Sequence, residues 1–244
     1  MAAITSAKTD VIFLSDIRLV NSCGVRNDMR VAGAFKDAKN KSYSMFWNSS
    51  KNSRGTAILI GNNLDFEPIN EVKDVEENFL LIKVRIGSQS IILGAVYGPN
   101  GTDGDFFTRL SEGLNLLQVG GGAPVILGGD WNATWDCRPA PNNIDIFKMI
   151  TVPNHANGLR LQRFAADHRL TDPYRIFYPE KQDFSYTPFG NIRNNRSRID
   201  FFLASEELTE LGASLFEIAL SLFALERTFI LRAMALLEAK SEAL

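Results

Sequence analysis

The sequence is poor in several residues that would otherwise fix its class. Its two cysteines, Cys23 and Cys137, are too few for a disulfide framework and lack metal-ligand spacing. No uncharged apolar run reaches the roughly 18 residues of a membrane-crossing helix. The first 20 residues carry Lys8, Asp10, Asp16 and Arg18, with no apolar signal-peptide core between them. These absences predict an intracellular protein, nuclear or cytoplasmic, with no signal peptide and no membrane span. Histidine is equally scarce, since only His155 and His168 occur. An excess of one charge is also lacking: 26 basic residues stand against 28 acidic ones. That argues against holding nucleic acid by bulk positive charge. The balance is uneven, however. Glu206–Leu244 has seven acidic and three basic residues, −4, which leaves +2 for Met1–Ser205. Charge neither demands nor excludes a nucleic-acid partner.

What is present is globular in proportion. The 244 residues are 45% hydrophobic and 22% charged, which excludes disordered, collagenous and coiled-coil chains. The length suits two small domains or one large α/β sandwich. Val11–Leu14 is a continuous apolar run of strand length, as expected of a strand buried on both faces. Val31–Phe35, Tyr43–Trp47 and Thr56–Ile60 are further short β-rich runs. Ile82, Val84 and Ile86 alternate with Lys83 and Arg85, the mark of a half-solvated strand, and a turn at 87–90 leads into Ile91–Tyr97 as a hairpin. Two amphipathic helices are predicted. One places Phe106, Leu110, Leu114 and Leu117 on a single face, with Thr102 or Asp103 as N-cap; the other so places Leu161, Phe164, Ala165 and His168. Between them Val125–Leu127 is an apolar strand ending in Gly128-Gly129-Asp130, followed by a long loop with Pro139, Pro141 and Pro153. From Glu206 onward the chain is rich in Ala, Leu and Glu with no strand signal, so 206–244 reads as a helical apolar tail, native or foreign to the domain.

Polar residues stand at the ends of these apolar strands, where a sheet presents a rim. Asp16 follows the first strand, Tyr97 ends the hairpin, Asp130 and Asn132 follow Leu127, and Asp200 opens a closing apolar run. A basic strip, Arg193, Arg196 and Arg198 with Ser197, lies just before Asp200. Each taken singly has an ordinary reading as a turn residue, a cap or a surface group.

Taken in order, DVIFLSDIRL (10–19), SRGTAILI (53–60), ILGAVYGPN (92–100), PVILGGDWNAT (124–134), LTDPYR (170–175), FSYTPFG (184–190) and SRIDFFLAS (197–205) resemble the endonuclease/exonuclease/phosphatase superfamily. The resemblance is closest to the endonuclease domain of LINE-type (non-LTR) retrotransposon polyproteins. It implies a DNase I-like α/β fold, a four-layer sandwich of two packed, mostly antiparallel sheets flanked by helices. It further implies a phosphodiesterase that nicks DNA with Mg²⁺ (or Mn²⁺), and a downstream reverse transcriptase as partner. By that resemblance Asp16 is the metal residue and Asp130 positions or activates the attacking water. Asn132 and Tyr97 bind the phosphate, Asp200 orients a catalytic histidine, and Arg193, Arg196, Arg198 and Ser197 contact phosphate or DNA. A phosphodiester repels nucleophiles, so fixed donors, a cation and an oriented water suit its hydrolysis.

Departures from the family pattern set a second expectation. Asp16 stands where the family usually has Glu, and the nine residues before Asp10 leave no room for the family's first strand with its metal-site Asn. No Ser-Asp-His follows Asp200, and the tail has no histidine. His168 reads as a half-buried helix residue and His155 as a loop residue. The 1–205 domain is thus expected to lack its first and last strands, with a tail that supplies no strand in their place. Three functions follow: an impaired retrotransposon-type endonuclease, another phosphoesterase of the superfamily, or a degenerate domain that only binds nucleic acid or protein.

Overall fold

The computed structural model describes residues 10–18, 43–50, 53–101, 103–139, 141–148, 154–188, 195–210 and 228–231. The runs that alternate or stay apolar in sequence become strands, and two sheets form from them. The smaller has the order β12-β1-β3-β2, built from β1 (Val11–Ser15), β2 (Tyr43–Asn48), β3 (Thr56–Gly61) and β12 (Thr228–Leu231). The larger has the order β4-β5-β6-β7-β11-β9. Its strands are β4 (Phe66–Lys73), β5 (Phe79–Ile86), β6 (Gln89–Tyr97), β7 (Val125–Asp130), β9 (Leu170–Thr171) and β11 (Asp200–Ser205). A short ladder joins β8 (Ile146–Phe147) to β10 (Arg196–Ser197). Among the described residues all pairings are antiparallel except β6 with β7, where helix α1 (Phe106–Gln118) makes the crossover a parallel step needs.

The sheets pack face to face. Val11, Phe13, Ile58 and Ile60 of the small sheet meet Leu80, Ile82, Leu93 and Phe202 of the large one. Phe13 and Phe202 touch edge to face at 5.5 Å between centroids. The other face of β1 buries Ile12 and Leu14 beside Tyr43, Ala57 and Leu59, so the strand is covered on both sides as its unbroken apolar run requires. Helices α1 and α2 (His155–Asp167) cover the outer face of the large sheet. Phe106, Leu110, Leu114, Leu161 and Phe164 lie against Leu81, Val96 and Leu127. Truncating a ring such as Phe13 to Ala would cost about 3–5 kcal/mol. The expected helical layer over the small sheet, the strand at Val31–Phe35, and Cys23 fall outside the described residues.

Several local expectations change. Asp105, not Thr102 or Asp103, is the N-cap of α1, and its side chain makes no cap bond. Asp103 instead accepts from the Asp105 N–H and from Arg109, because an ion pair is the stronger partner. His155 is the first residue of α2 and exposed, not part of a loop. His168 closes that helix, half-buried, with Nε2 3.0 Å from the Ser111 hydroxyl. The hairpin turn is only Gly87-Ser88, since Ile86 already pairs with Gln89. Strand β4 had no sequence signal.

The tail brings the largest correction. Helix α4 (Glu206–Glu210) opens it as expected, but Thr228–Leu231 is a strand, paired antiparallel with β1 from Val11↔Leu231 to Leu14↔Thr228. The edge groups of β1 need partners, and that demand overrides the helical propensity of an Ala/Leu-rich background.

Candidate active site

The ends of β6, β7 and β11 bring three of the polar residues into one row. Tyr97 pairs in register with Asp130, and Asp130 pairs in turn with Asp200. Two glycines permit this close approach. A Cβ on Gly129 would lie 1.9 Å from the Val96 carbonyl oxygen, and one on Gly98 would lie 2.1 Å from the Trp131 oxygen. The Gly98 N–H donates to the Asp130 carbonyl at 2.6 Å. Past the strand end the chain turns through Asn132, whose φ is +48°. The Asn132 N–H donates to Asp130 Oδ1 at 2.8 Å, and its side-chain amide donates to the Gly98 carbonyl at 2.7 Å. Asp130 and Asn132 are therefore locked to each other and to the neighbouring strand. A positive φ is uncommon in a non-glycine residue, and asparagine adopts it more readily than most.

Residues absent from the sequence reading hold this row. Trp131 is buried, stacks on Phe201 at 5.8 Å and donates Nε1–H to the Phe201 carbonyl at 3.0 Å. Buried Asn78 donates to the Tyr97 carbonyl at 2.7 Å and accepts the Tyr97 N–H at 2.7 Å through its own carbonyl. The Ser185 hydroxyl accepts the N–H groups of Ile199 and Asp200, at 3.2 and 3.1 Å. Ser185 lies inside the FSYTPFG string, so a signal existed; Asn78 sits in a plain turn and had none.

Electrostatics single out Asp200. Burial, and then the facing charge of Asp130, push its carboxyl up to about 8, against smaller opposing effects of Ser185 and Arg198. At neutral pH it holds a proton, so the row presents an acid beside a carboxylate. Burial also lowers the His168 pKa and raises the Cys137 thiol to about 11, which leaves that thiol inert as a nucleophile.

Asp16 stands at the end of β1 with φ +54°, its side chain buried. Both its oxygens accept from Arg18: Nε to Oδ1 at 2.9 Å and Nη2 to Oδ2 at 2.8 Å. Among the described residues no three His, Cys, Asp or Glu side chains converge as cation ligands. Mg²⁺ and Mn²⁺ are hard ions that hold near-octahedral oxygen shells through one or two carboxylates. The Asp16 carboxylate, with both oxygens taken by a guanidinium, does not fit them as it stands.

The basic strip divides. Arg198 is a core residue and not a phosphate contact, because its guanidinium forks onto Asp172 at 2.7 and 3.0 Å and lies 3.6 Å from Asp145. Its carbon lies 4.8 Å from the Tyr174 ring centroid and 4.9 Å from that of Phe201. Asp172 is itself the N-cap of α3 (Pro173–Phe177), accepting from Tyr174 and Arg175 N–H groups. Ser197 is also lost as a phosphate contact, since its hydroxyl is buried in the β8–β10 ladder. Arg196 is partly exposed over the Phe147 ring at 5.6 Å. Arg193 lies outside the described residues.

Comparison with solved structures gives the same architecture. The AP endonuclease LMAP from Leishmania major is 18% identical with a TM-score of 0.66, over 86% of this chain and 74% of that one. A 3'-5' exonuclease (NExo) from Neisseria meningitidis is 18% identical with a TM-score of 0.59, over 83% and 78%. An AP endonuclease from Archaeoglobus fulgidus is 21% identical with a TM-score of 0.56, over 82% and 78%. These likenesses establish the DNase I-like fold. The family model described as Endonuclease/Exonuclease/phosphatase family matches residues 4–221, past Ser205 into the tail segment. With the row of Tyr97, Asp130 and Asp200 at the strand ends of that fold, this match shows that the chain belongs to the endonuclease/exonuclease/phosphatase family.

Proposed function

We propose that the chain is a DNA phosphodiesterase domain of the retrotransposon type, slow in this copy. The row Tyr97–Asp130–Asp200, with Asn132 locked onto Asp130, carries the reading. Asp130 is the general base that orients water. Tyr97 and Asn132 supply neutral donors to the phosphate. Asp200, protonated at neutral pH, is the proton source for the leaving oxygen, in the absence of a histidine. Carboxylic acids held neutral by their surroundings take this role elsewhere.

The family's members are generally divalent-metal-dependent nucleases, but no step here is routed through an ion, since the described residues do not fit one. Loss of acid–base help from a histidine costs about 10²–10⁴ in rate, which is the measure of "slow". The retrotransposon assignment, and a reverse transcriptase partner with it, rest on the GGDWNAT and SRIDFFLAS strings. Nicking of supercoiled plasmid, in Mg²⁺, in Mn²⁺ and in EDTA, tests the proposal. Slow nicking that disappears in Asp130→Ala is expected. Nicking unchanged in that variant would remove the row from the chemistry. Turnover of a phosphorylated small molecule in preference to DNA would move the chain to another phosphoesterase class, a choice the fold leaves open.

A further inference from the structure

We propose that Arg18 is the resident cation of this site: it neutralises Asp16 in place of a metal ion and offers its remaining N–H donors to a phosphate oxygen of the bound strand. The phosphate half of this inference rests on the phosphodiesterase reading; the cation half does not.

The geometry is that of a built clamp. Asp16 and Arg18 both have left-handed backbones, at φ +54° and +48°. Between them the Ile17 N–H donates to the Gly55 carbonyl at 3.1 Å, and the Arg18 N–H donates to the Arg54 carbonyl at 2.9 Å. The double turn is thus stitched to the neighbouring chain, and it is what brings a side chain two residues on back over the Asp16 carboxylate. Gly55 (φ +93°) fits against Ser49, whose hydroxyl oxygen would lie 2.5 Å from a Cβ there, so this stitching depends on glycine.

Charge and donor supply follow from that clamp. The Asp16 side chain is 2% exposed and that of Arg18 is 51% exposed, so the guanidinium caps the carboxylate from the solvent side. A divalent ion reaching Asp16 would have to displace two charge-assisted hydrogen bonds from a carboxylate whose charge is already balanced. A guanidinium carries five N–H donors. Asp16 takes two, and the others remain on a side chain half open to solvent. A hydrogen-bonded path ties this turn to the catalytic row: Arg54, whose carbonyl accepts the Arg18 N–H, donates Nη1–H to Asn78 Oδ1 at 3.1 Å, and the Asn78 amide donates to the Tyr97 carbonyl at 2.7 Å. Planar forked donors of this kind suit phosphate oxygens better than a lysine's point charge.

The test uses the full chain as wild type, Arg18→Gln, Arg18→Lys and Asp16→Asn, with folding checked by thermal melts. Mn²⁺ binding is read by electron paramagnetic resonance, and binding of a labelled duplex oligonucleotide is read by anisotropy in EDTA. Wild type should hold Mn²⁺ only at millimolar concentration. Arg18→Gln should tighten Mn²⁺ about fivefold to tenfold, the effect of removing one adjacent positive charge at the protein surface. The same change should weaken DNA about tenfold in EDTA, with Arg18→Lys between the two. Asp16→Asn should abolish whatever Mn²⁺ affinity remains. Micromolar Mn²⁺ binding by wild type, or Mn²⁺ affinity unmoved by Arg18→Gln, would overturn the cation half. DNA affinity unmoved by Arg18→Gln would overturn the phosphate half and leave the nuclease reading standing. Failure of every form to bind DNA would overturn the nuclease reading and the phosphate half together, while the Mn²⁺ result would still judge the cation half.

Discussion

Among the arginines that fork onto aspartates in this fold, Arg18, Arg138 and Arg198, two stand in opposite surroundings. Arg198 and Asp172 are sealed inside, with side chains 3% and 1% exposed, under the rings of Tyr174 and Phe201. Arg18 covers an equally buried Asp16 from the solvent side. The hydrogen bonds are alike; the accessibility of the cation is not. A sealed guanidinium can only stabilise, because its donors have no route to a ligand. An open one is poorly stabilising yet available, since water and salt compete for it. The sequence points the other way, toward Arg198 as the phosphate contact and Arg18 as an unremarked neighbour.

Substitutions can break or sharpen this contrast. Arg198→Ala has the largest expected effect. It leaves Asp172 and Asp145 buried with less compensation and should cost about 3–5 kcal/mol. At roughly 2–4 °C per kcal/mol for a chain of this size, calorimetry should show a melting point lower by about 10 °C. A change under 2 °C would mean the buried fork is not a keystone. Next comes Asp130→Asn, which keeps the shape of the row but removes its base. Nicking should fall by about 10²–10⁴ with little change in melting temperature.

Asp200→Asn should act on stability with a definite pH sign. The folded carboxyl, near 8, is raised far above the ordinary value of about 3.9. Its contribution is thus complete below about pH 4 and is lost as pH rises through 8. Asparagine mimics the neutral form, so the variant should melt a few degrees above wild type at pH 8, and the gap should close toward pH 4. A gap that widens on acidification would reverse the assignment. Arg18→Ala has the smallest expected effect on stability, a melting point within about 2 °C of wild type. A fall comparable to that of Arg198→Ala would erase the contrast between the two forks.

The fold was legible where burial and sequence pattern coincide. Val11–Leu14, Val125–Leu127 and the 106/110/114/117 stripe all became the elements their periodicity predicts. Strand β4 was not, because Glu67, Pro68, Ile69, Asn70 and Glu71 are exposed and no apolar alternation marks them. Of the site, the alignment of Tyr97, Asp130 and Asp200 could be anticipated, since each sits at the end of a readable strand. The fate of Arg198 could not. Its partners Asp145 and Asp172 are distant in sequence, and burial of a charge is decided by such partners. Nor does any periodicity announce a pair of left-handed residues that folds Arg18 back over Asp16.

The pairing of β12 with β1 bears on how the molecule is made. Val11 pairs with Leu231, so β1 waits for a partner strand that is synthesised much later. At about 5–20 residues per second, that interval is on the order of ten seconds or more, far longer than a hairpin needs to close. Strand β3 can cover one side of β1 early, while the other edge, an apolar Val-Ile-Phe-Leu ribbon, stays open on the ribosome. Such an edge invites pairing with other chains. The strand that ends in Asp16 is therefore both the earliest part of the site to exist and the last to be finished.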